Sequence, residues 1–226
     1  MIILLRSSIF NILFYIWTLL IAFFSFPVFF FNRKYNVKVW FLWIKVTNKI
    51  LKIVTKLDYE TKGLKKNSSN NVIYACQHQS AWDTIILPYL IGDCIIFHKR
   101  SLLFIPFFGW HLFKLGMVII TRNKGANSLI KIISKTKKAI LDNRSILIFP
   151  HGTRTLPNSK NKIQSGVVIL YKHLNIKVVP VKLDSGKYWG RNKFLKYPGK
   201  IKVNFLKPIY PGLSPGEFRK KLEKIL

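Results

Sequence analysis

Residues 71–83 read NVIYACQHQSAWD, an apolar run that is followed at once by His, Ser and Asp. A short apolar run bounded by polar residues is typical of a buried strand. Ser80 followed by Asp83 has the S-x-x-D form that marks the N-terminus of a helix. We therefore predict a strand that ends near Gln77, a loop that holds His78, and a helix that begins at Ala81.

The same alternation of apolar runs and helical segments continues toward the C-terminus. Further strands are predicted at CIIF, MVII, SILIF, VVPV and IKVNFL, and helices at 81–91, 126–141 and 163–174. Strands that alternate with helices favour a parallel sheet. The predicted fold class is α/β, with a mostly parallel or mixed central sheet flanked by helices.

The N-terminal segment is too apolar to belong to such a core. Residues 7–31 carry no charged side chain, and a run of that length reaches across most of a bilayer. It is longer than the apolar region of a signal peptide, so we expect a retained anchor. Arg33, Lys34 and Lys38 follow it, which places the remainder on the cytoplasmic face of the inner membrane. We expect membrane-anchoring helices over residues 1–60 and the α/β domain over residues 61–226.

The stretch that follows, residues 36–57, has two contrasting helical faces. Five lysines of this stretch fall within roughly 60° of one another on a helix, opposite an apolar face. One interpretation is an interfacial helix that binds an anionic membrane through Trp40, Trp43, Lys45, Lys49 and Lys52. The alternative is a surface helix packed on its own core. The apolar run before it favours the membrane interpretation.

The net charge of +30, from 38 basic and 8 acidic residues, attracts polyanions. Anionic lipid, phosphorylated substrates and nucleic acid are all candidates. Two of the six tryptophans lie in the lysine-bearing stretch and no nucleic-acid motif occurs, so we predict no nucleic-acid partner. A membrane-tethered nucleic-acid-binding protein is the alternative of another class. Cys76 and Cys94 form no CxxC motif, which predicts reduced thiols, no metal site and no cofactor.

His78 and Asp83 form a candidate catalytic pair. On one continuous helix they would be about 140° apart, so a turn must separate them. Helix capping accounts for Ser80 and Asp83 but leaves His78 unexplained. In a catalytic role, Asp83 accepts a hydrogen bond from one imidazole nitrogen, and the other nitrogen serves as a base toward a hydroxyl group.

Three basic residues follow predicted strands, where ligands gather in open α/β sheets. Arg154 follows SILIF, Arg122 follows MVII, and Lys99 follows CIIF. We expect these cations to bind a substrate phosphate near His78. The backbone N–H groups of Gly152 and Thr153 are further candidates for the phosphate or a developing oxyanion.

Four blocks in order resemble a known family. HQSAWD has the HxxxxD form of the glycerolipid acyltransferases, and the other blocks are residues 98–122, FPHGTRT at residues 149–155, and VVPV around Pro180. Two residues depart from the family pattern: Gln77 replaces the usual Asn, and His151 replaces the usual Glu. The second departure removes a carboxylate thought to help shape the acceptor site.

The resemblance implies a membrane-bound enzyme that transfers a fatty acyl group to a lysophospholipid. The donor would be acyl-CoA or acyl carrier protein. The expected acceptor is the sn-2 hydroxyl of 1-acyl-glycerol-3-phosphate, which would give phosphatidic acid. Glycerol 3-phosphate or a lyso-aminolipid is the alternative acceptor, because His151 departs from the pattern.

Overall fold

The computed structural model describes residues 1–64, 71–105, 108–120, 126–157, 159 and 161–226. The side chains of Lys99, Ile120, residues 126–129 and Lys131 lie outside the description. The helices are α1 (Ile2–Phe24), α2 (Arg33–Thr55), α3 (Ala81–Ile91), α4 (Phe108–Lys114), α5 (Ala126–Leu141), α6 (Ser165–Leu174) and α7 (Pro215–Ile225). The strands are β1 (Leu57–Lys62), β2 (Ile73–Cys76), β3 (Cys94–Lys99), β4 (Val118–Ile120), β5 (Ser145–Ile148), β6 (Val178–Leu183) and β7 (Gly199–Phe205).

The strands form one sheet in the order β1-β7-β6-β2-β5-β3-β4. Strand β2 lies near its centre and pairs in parallel with both β5 and β6. The pairs β3–β5, β3–β4 and β1–β7 are also parallel, whereas β6 and β7 are antiparallel. The predicted fold class is confirmed: the sheet is mixed and mostly parallel, with helices on both faces.

Successive side chains of β2 point alternately into two core layers, one on each face of the sheet. Tyr74 and Cys76 point into the cluster that includes side chains of α2, α3 and α4. Ile73 and Ala75 point into the cluster formed with α6 and α7. Successive side chains of a strand face opposite sides of a sheet, so a strand buried on both faces reads as a continuous apolar run. The carboxyl end of β2 is thus held between two packed layers.

Strand β1 is absent from the sequence prediction because its sequence, LDYETK, carries three charged side chains. It lies at the sheet edge and pairs with β7 from Leu57↔Gly199 to Lys62↔Asn204. The expected boundary at residue 60 falls within this strand. Leu57 of β1 and Leu51 of α2 belong to the same buried cluster as the sheet.

Helix α1 combines an apolar composition with little burial. Its buried residues are Ser7, Phe10 and Ala22. Among the described residues it is the one helix that is long and apolar enough to cross a membrane. Two hydrogen bonds join it to α2: Trp17 Nε1 donates to the Trp43 carbonyl at 3.2 Å, and Trp43 Nε1 donates to Thr18 Oγ1 at 3.0 Å.

The prediction that Trp40 and Trp43 bind the membrane is wrong. Each residue is only 8% exposed and packs in the cluster that joins α1 and α2 to the sheet. The apolar face of α2 is covered by protein because α1 folds back along it. The lysines Lys45, Lys49 and Lys52 are exposed on its outer side, where Lys52 Nζ lies 2.7 Å from an Asp58 carboxylate oxygen.

Candidate active site

The stretch that follows β2 folds as the sequence predicts. The strand ends at Cys76 and α3 begins at Ala81. Ser80 is the N-cap, and its Oγ accepts a hydrogen bond from the Trp82 N–H at 3.2 Å. A side-chain acceptor at this position satisfies a backbone donor that the helix leaves unpaired. The loop between strand and helix is therefore short, and His78 lies in it.

Asp83 is the centre of the hydrogen-bond network in this loop. Its side chain is fully buried. Its Oδ2 accepts from the backbone N–H groups of Gln79 at 2.7 Å and Ser80 at 2.8 Å, and it lies 2.9 Å from His78 Nδ1. Its Oδ1 accepts from Ser185 Oγ at 2.6 Å. The same carboxylate thus completes the capping box and orients the imidazole, so the two roles do not exclude each other.

These partners determine which imidazole nitrogen carries the proton. The other described groups that hydrogen-bond to the Asp83 side chain, the N–H groups of Gln79 and Ser80 and the Ser185 hydroxyl, all donate to it, so the carboxylate acts as an acceptor. His78 Nδ1 therefore donates, and Nε2 keeps a lone pair that can accept a proton. The His78 side chain is 13% exposed. It is sheltered from bulk water but still accessible to a substrate.

The FPHGTRT block packs directly on this pair. The rings of Phe149 and His78 stack with centroids 4.1 Å apart and planes 22° apart. The backbone N–H of Thr155 donates to the His78 carbonyl at 2.7 Å. Two blocks that are far apart in the sequence thus fix the imidazole from both its ring face and its main chain.

Arg154 of that block lies close enough to Asp83 to interact electrostatically. Burial lowers the pKa of its guanidinium, the Asp83 carboxylate opposes that shift, and the Arg191 guanidinium adds to it. Arg191 Nη1 also donates to the Arg154 carbonyl at 3.2 Å. A half-buried guanidinium can hold a substrate phosphate through two parallel hydrogen bonds, and Arg154 directly precedes Thr155, whose N–H donates to the His78 carbonyl.

The sequence profile of the Acyltransferase family matches residues 54–184, which extend from the last residues of α2 to the residue after β6 and include His78, Asp83 and Arg154. The chain belongs to the Acyltransferase family.

Proteins with a more specific name are similar to this acyltransferase. It is 29% identical over 189 residues to the 1-acyl-sn-glycerol-3-phosphate acyltransferase of Pseudomonas aeruginosa, a match that covers 84% of this chain and 73% of that protein. It is 26% identical over 169 residues to the Saccharomyces cerevisiae protein of the same name, of which the match covers 54%.

A solved structure shares the fold. The crystal structure of the 1-acyl-sn-glycerophosphate (LPA) acyltransferase PlsC from Thermotoga maritima superimposes with a TM-score of 0.77 at 21% identity. The superposition covers 98% of this chain and 94% of that one. The similarity includes the N-terminal helices as well as the sheet.

The structure does not describe the side chains of two predicted phosphate ligands of the acyltransferase, Arg122 and Lys99. Arg122 lies outside the described residues. Lys99 ends β3, where its backbone pairs with Ile120, but its side chain is not described. Their role in phosphate binding stays a prediction.

The prediction for Gly152 needs correction. Its backbone N–H donates to the Phe149 carbonyl at 2.9 Å, so in this structure that N–H closes a turn and is not directed to a phosphate. Gly152 has φ +69°, a conformation that glycine adopts without strain. Thr153 is exposed and remains a candidate.

Two other side chains could be considered as nucleophiles, and the structure opposes both. Cys76 is fully buried, and burial raises the pKa of its thiol well above the ordinary value. Its thiol is therefore protonated and unreactive. Ser80 is fully buried and its Oγ accepts the Trp82 N–H. Neither side chain is therefore placed to act as a nucleophile.

The remaining histidines have different environments. Burial lowers the pKa of His98 on β3 to about 4, so it is neutral, and its Nε2 has no hydrogen-bond partner among the described residues. His151 is half-buried; burial lowers its pKa, and the Glu223 carboxylate opposes that shift. His111 lies within hydrogen-bond distance of Ser25 and Asn36, and His173 is an exposed residue of α6.

Sequence reasoning missed Ser185 and Gln79. Ser185 is fully buried and donates to Asp83. Gln79 Nε2 donates to the Leu183 carbonyl at 3.0 Å, and its Oε1 accepts from the Gly186 N–H at 3.1 Å. These three contacts join the HQSAWD segment to the last residue of β6 and to the residues that follow it. The rule that site residues follow parallel strands would have indicated Ser185, which lies just beyond the end of β6.

Proposed function

We propose that this acyltransferase moves a fatty acyl group from acyl-CoA or acyl carrier protein to the sn-2 hydroxyl of 1-acyl-glycerol-3-phosphate, forming phosphatidic acid. The observation that carries the proposal is the 2.9 Å contact between His78 Nδ1 and buried Asp83. It leaves His78 Nε2 with a lone pair that can accept a proton. The names of similar proteins supply the acceptor.

The chemistry is a direct transfer within a ternary complex. His78 Nε2 removes the proton of the acceptor hydroxyl while that oxygen attacks the thioester carbonyl carbon. A new C–O bond forms, the C–S bond breaks, and the departing thiolate takes the proton from the imidazolium. Asp83 stabilises the transient imidazolium through the hydrogen bond to Nδ1. No covalent acyl-enzyme is required, which agrees with the burial of Cys76 and Ser80.

The acceptor phosphate would be held by Arg154, with Arg122 and Lys99 as predicted further ligands. A glycerol phosphate is short, so its phosphate group must lie close to the reacting hydroxyl. We expect Arg154 to meet that requirement because the next residue, Thr155, donates its backbone N–H to the His78 carbonyl. A guanidinium also matches the geometry of a phosphate better than an ammonium does.

We also propose that the enzyme works at the cytoplasmic face of the inner membrane. Supporting this placement, α1 has the length and composition of a membrane-crossing helix. Exposed apolar side chains occur along its length, including Leu4, Tyr15, Leu19 and Phe23. The exposed lysines Lys45, Lys49 and Lys52 would face anionic lipid headgroups. The lysolipid then reaches the site without leaving the bilayer.

A panel of acceptors tests the function. Purified enzyme in vesicles would be given one labelled acyl thioester with lysophosphatidate, glycerol 3-phosphate or a lyso-aminolipid. We expect labelled phosphatidic acid from lysophosphatidate at the highest kcat/KM. Good turnover of another acceptor with none of lysophosphatidate would overturn the proposed substrate. The variant His151→Glu would then test whether this residue determines the choice of acceptor.

A further inference from the structure

A large cavity lies beside the catalytic loop. Its volume is about 790 Å³, within the range of about 300 to 1,000 Å³ that is usual for small-molecule sites. Gln77 and Gln79, the two neighbours of His78, line it, as does Thr155, whose N–H donates to the His78 carbonyl. His78 and Arg154 are not among its lining residues. The cavity therefore adjoins the catalytic residues without enclosing them.

The lining of the cavity is strongly cationic. Five lysines line it, Lys162, Lys182, Lys187, Lys202 and Lys224, against the carboxylates of Asp184 and Glu223. Within the described part of the chain, one of these five lysines forms an ion pair: Lys187 Nζ lies 3.4 Å from Asp184 Oδ2.

Both carboxylates also have other partners. Asp184 Oδ1 accepts from the Lys202 backbone N–H at 2.8 Å, and Glu223 Oε1 accepts from the Ile163 N–H at 3.2 Å. Among the described residues, four of the five lysines thus have no carboxylate within ion-pair distance. Such an arrangement is stabilised by a bound polyanion.

His151 adds a neutral polar group to the same lining. Its Nδ1 is buried and has no hydrogen-bond partner among the described residues, and the residue lines the cavity. A buried polar atom without a partner is costly. Because Nδ1 is buried, a phosphate oxygen in the cavity would pair with it only after the imidazole turns toward the cavity.

The lysolipid and coenzyme A both carry phosphate and are both candidate ligands of this cavity. They differ in the distance between the phosphate and the reacting group. The phosphate of the lysolipid is close to the reacting hydroxyl and must therefore lie near His78. In coenzyme A the pantetheine arm separates the phosphates from the thioester, so its phosphates must lie at a distance. A concave site also fits a nucleotide better than the convex surface of a carrier protein. We propose that this lysine-lined cavity binds the phosphate groups of coenzyme A, an inference that rests on the proposed thioester chemistry.

Steady-state kinetics with matched donors test the assignment. In the double variant Lys182→Gln/Lys202→Gln we expect KM for acyl-CoA to rise roughly tenfold, because charge-assisted contacts to phosphate are lost. The kcat/KM for an acyl thioester of N-acetylcysteamine, which lacks phosphates, should not change, nor should KM for lysophosphatidate. The control is Lys207→Gln/Lys220→Gln, which removes two exposed lysines outside the cavity and should behave as wild type.

Three outcomes would overturn the assignment: an unchanged KM for acyl-CoA, a loss of equal size with the phosphate-free donor, or a loss specific to lysophosphatidate or to acyl carrier protein. A binding measurement separates this failure from failure of the proposed function. Calorimetric titration of free coenzyme A into the detergent-solubilised enzyme needs no acyl transfer. Binding to wild type that weakens roughly tenfold in the cavity variant supports the site even if lysophosphatidate is not the acceptor. Equal binding by both proteins refutes it.

Discussion

Ser185 Oγ lies 2.6 Å from Asp83 Oδ1, across 102 residues of sequence. The hydroxyl donates to the carboxylate oxygen that does not contact His78, so it fixes the plane of the carboxylate from the side opposite the imidazole. The segment after β6 thereby sets the orientation of the catalytic pair. In the proposed mechanism Ser185 is a positioning residue, because it would act on the reaction through Asp83.

Replacing Ser185 by alanine should leave one oxygen of a buried carboxylate without its donor. We expect the free energy of unfolding to fall by about 1 to 3 kcal/mol and kcat to fall roughly tenfold, since a misplaced catalytic group is costly. KM for both substrates should stay unchanged. Ser165→Ala, at the exposed start of α6, is the control. Equal kcat for wild type and Ser185→Ala would show that the contact does not position the pair.

Arg154→Lys keeps the positive charge but removes the planar fork of the guanidinium. We expect KM for lysophosphatidate to rise roughly tenfold with little change in kcat, because two parallel hydrogen bonds to the phosphate become one. Arg219→Lys on α7 serves as a control outside the site. An unchanged KM in the Arg154 variant would place the acceptor phosphate elsewhere.

The exposed lysines of α2 should make the activity of the enzyme depend on the fraction of anionic lipid in the membrane. Each lysine near an anionic surface contributes about 1 kcal/mol of attraction. Activity of wild type in vesicles should rise with the fraction of anionic lipid, and Lys45→Gln/Lys49→Gln should flatten that response. In neutral vesicles the two proteins should have equal activity. An identical response to anionic lipid would contradict a membrane role for this helix face.

Lys196 joins helix α1 to the segment that carries Ser185. It is 3% exposed, and its ammonium lies 4.8 Å from the Trp189 ring centroid and 5.4 Å from that of Phe10. Burial lowers its pKa from 10.5 to about 8. Between pH 8 and pH 10.5 the unfolded chain binds more protons at this amine than the folded protein does. The contribution of Lys196 to the free energy of unfolding therefore increases as pH rises through this range and decreases as pH falls toward 8.

Thermal unfolding in detergent at several pH values measures this contribution. The stability of wild type relative to Lys196→Met should increase between pH 8 and pH 10. The difference between the two proteins isolates Lys196 from the other lysines and tyrosines that titrate there. A difference that is constant with pH would show that burial does not shift this amine.

Local chemistry determines how much of the site can be predicted from the sequence. The turn after β2, the cap at Ser80 and the His78–Asp83 contact depend on residues within a few positions of one another, and all three were predicted. Ser185 and Gln79 depend on how β6 lies against β2, which no local pattern specifies. Trp40 and Trp43 were misassigned because an apolar helix face has the same spacing whether it contacts lipid or another helix.

The catalytic pair is tested most directly by the rate of a single turnover, measured with enzyme in excess over acyl thioester. His78→Ala and Asp83→Asn should each lower that rate by at least about a hundredfold. Ser80→Ala, which weakens the helix cap by about 1 kcal/mol but keeps the imidazole and its carboxylate, should stay within a few-fold of wild type. Rates near that of wild type in both the His78 and the Asp83 variants would contradict the assignment of this pair as the catalytic base and its partner.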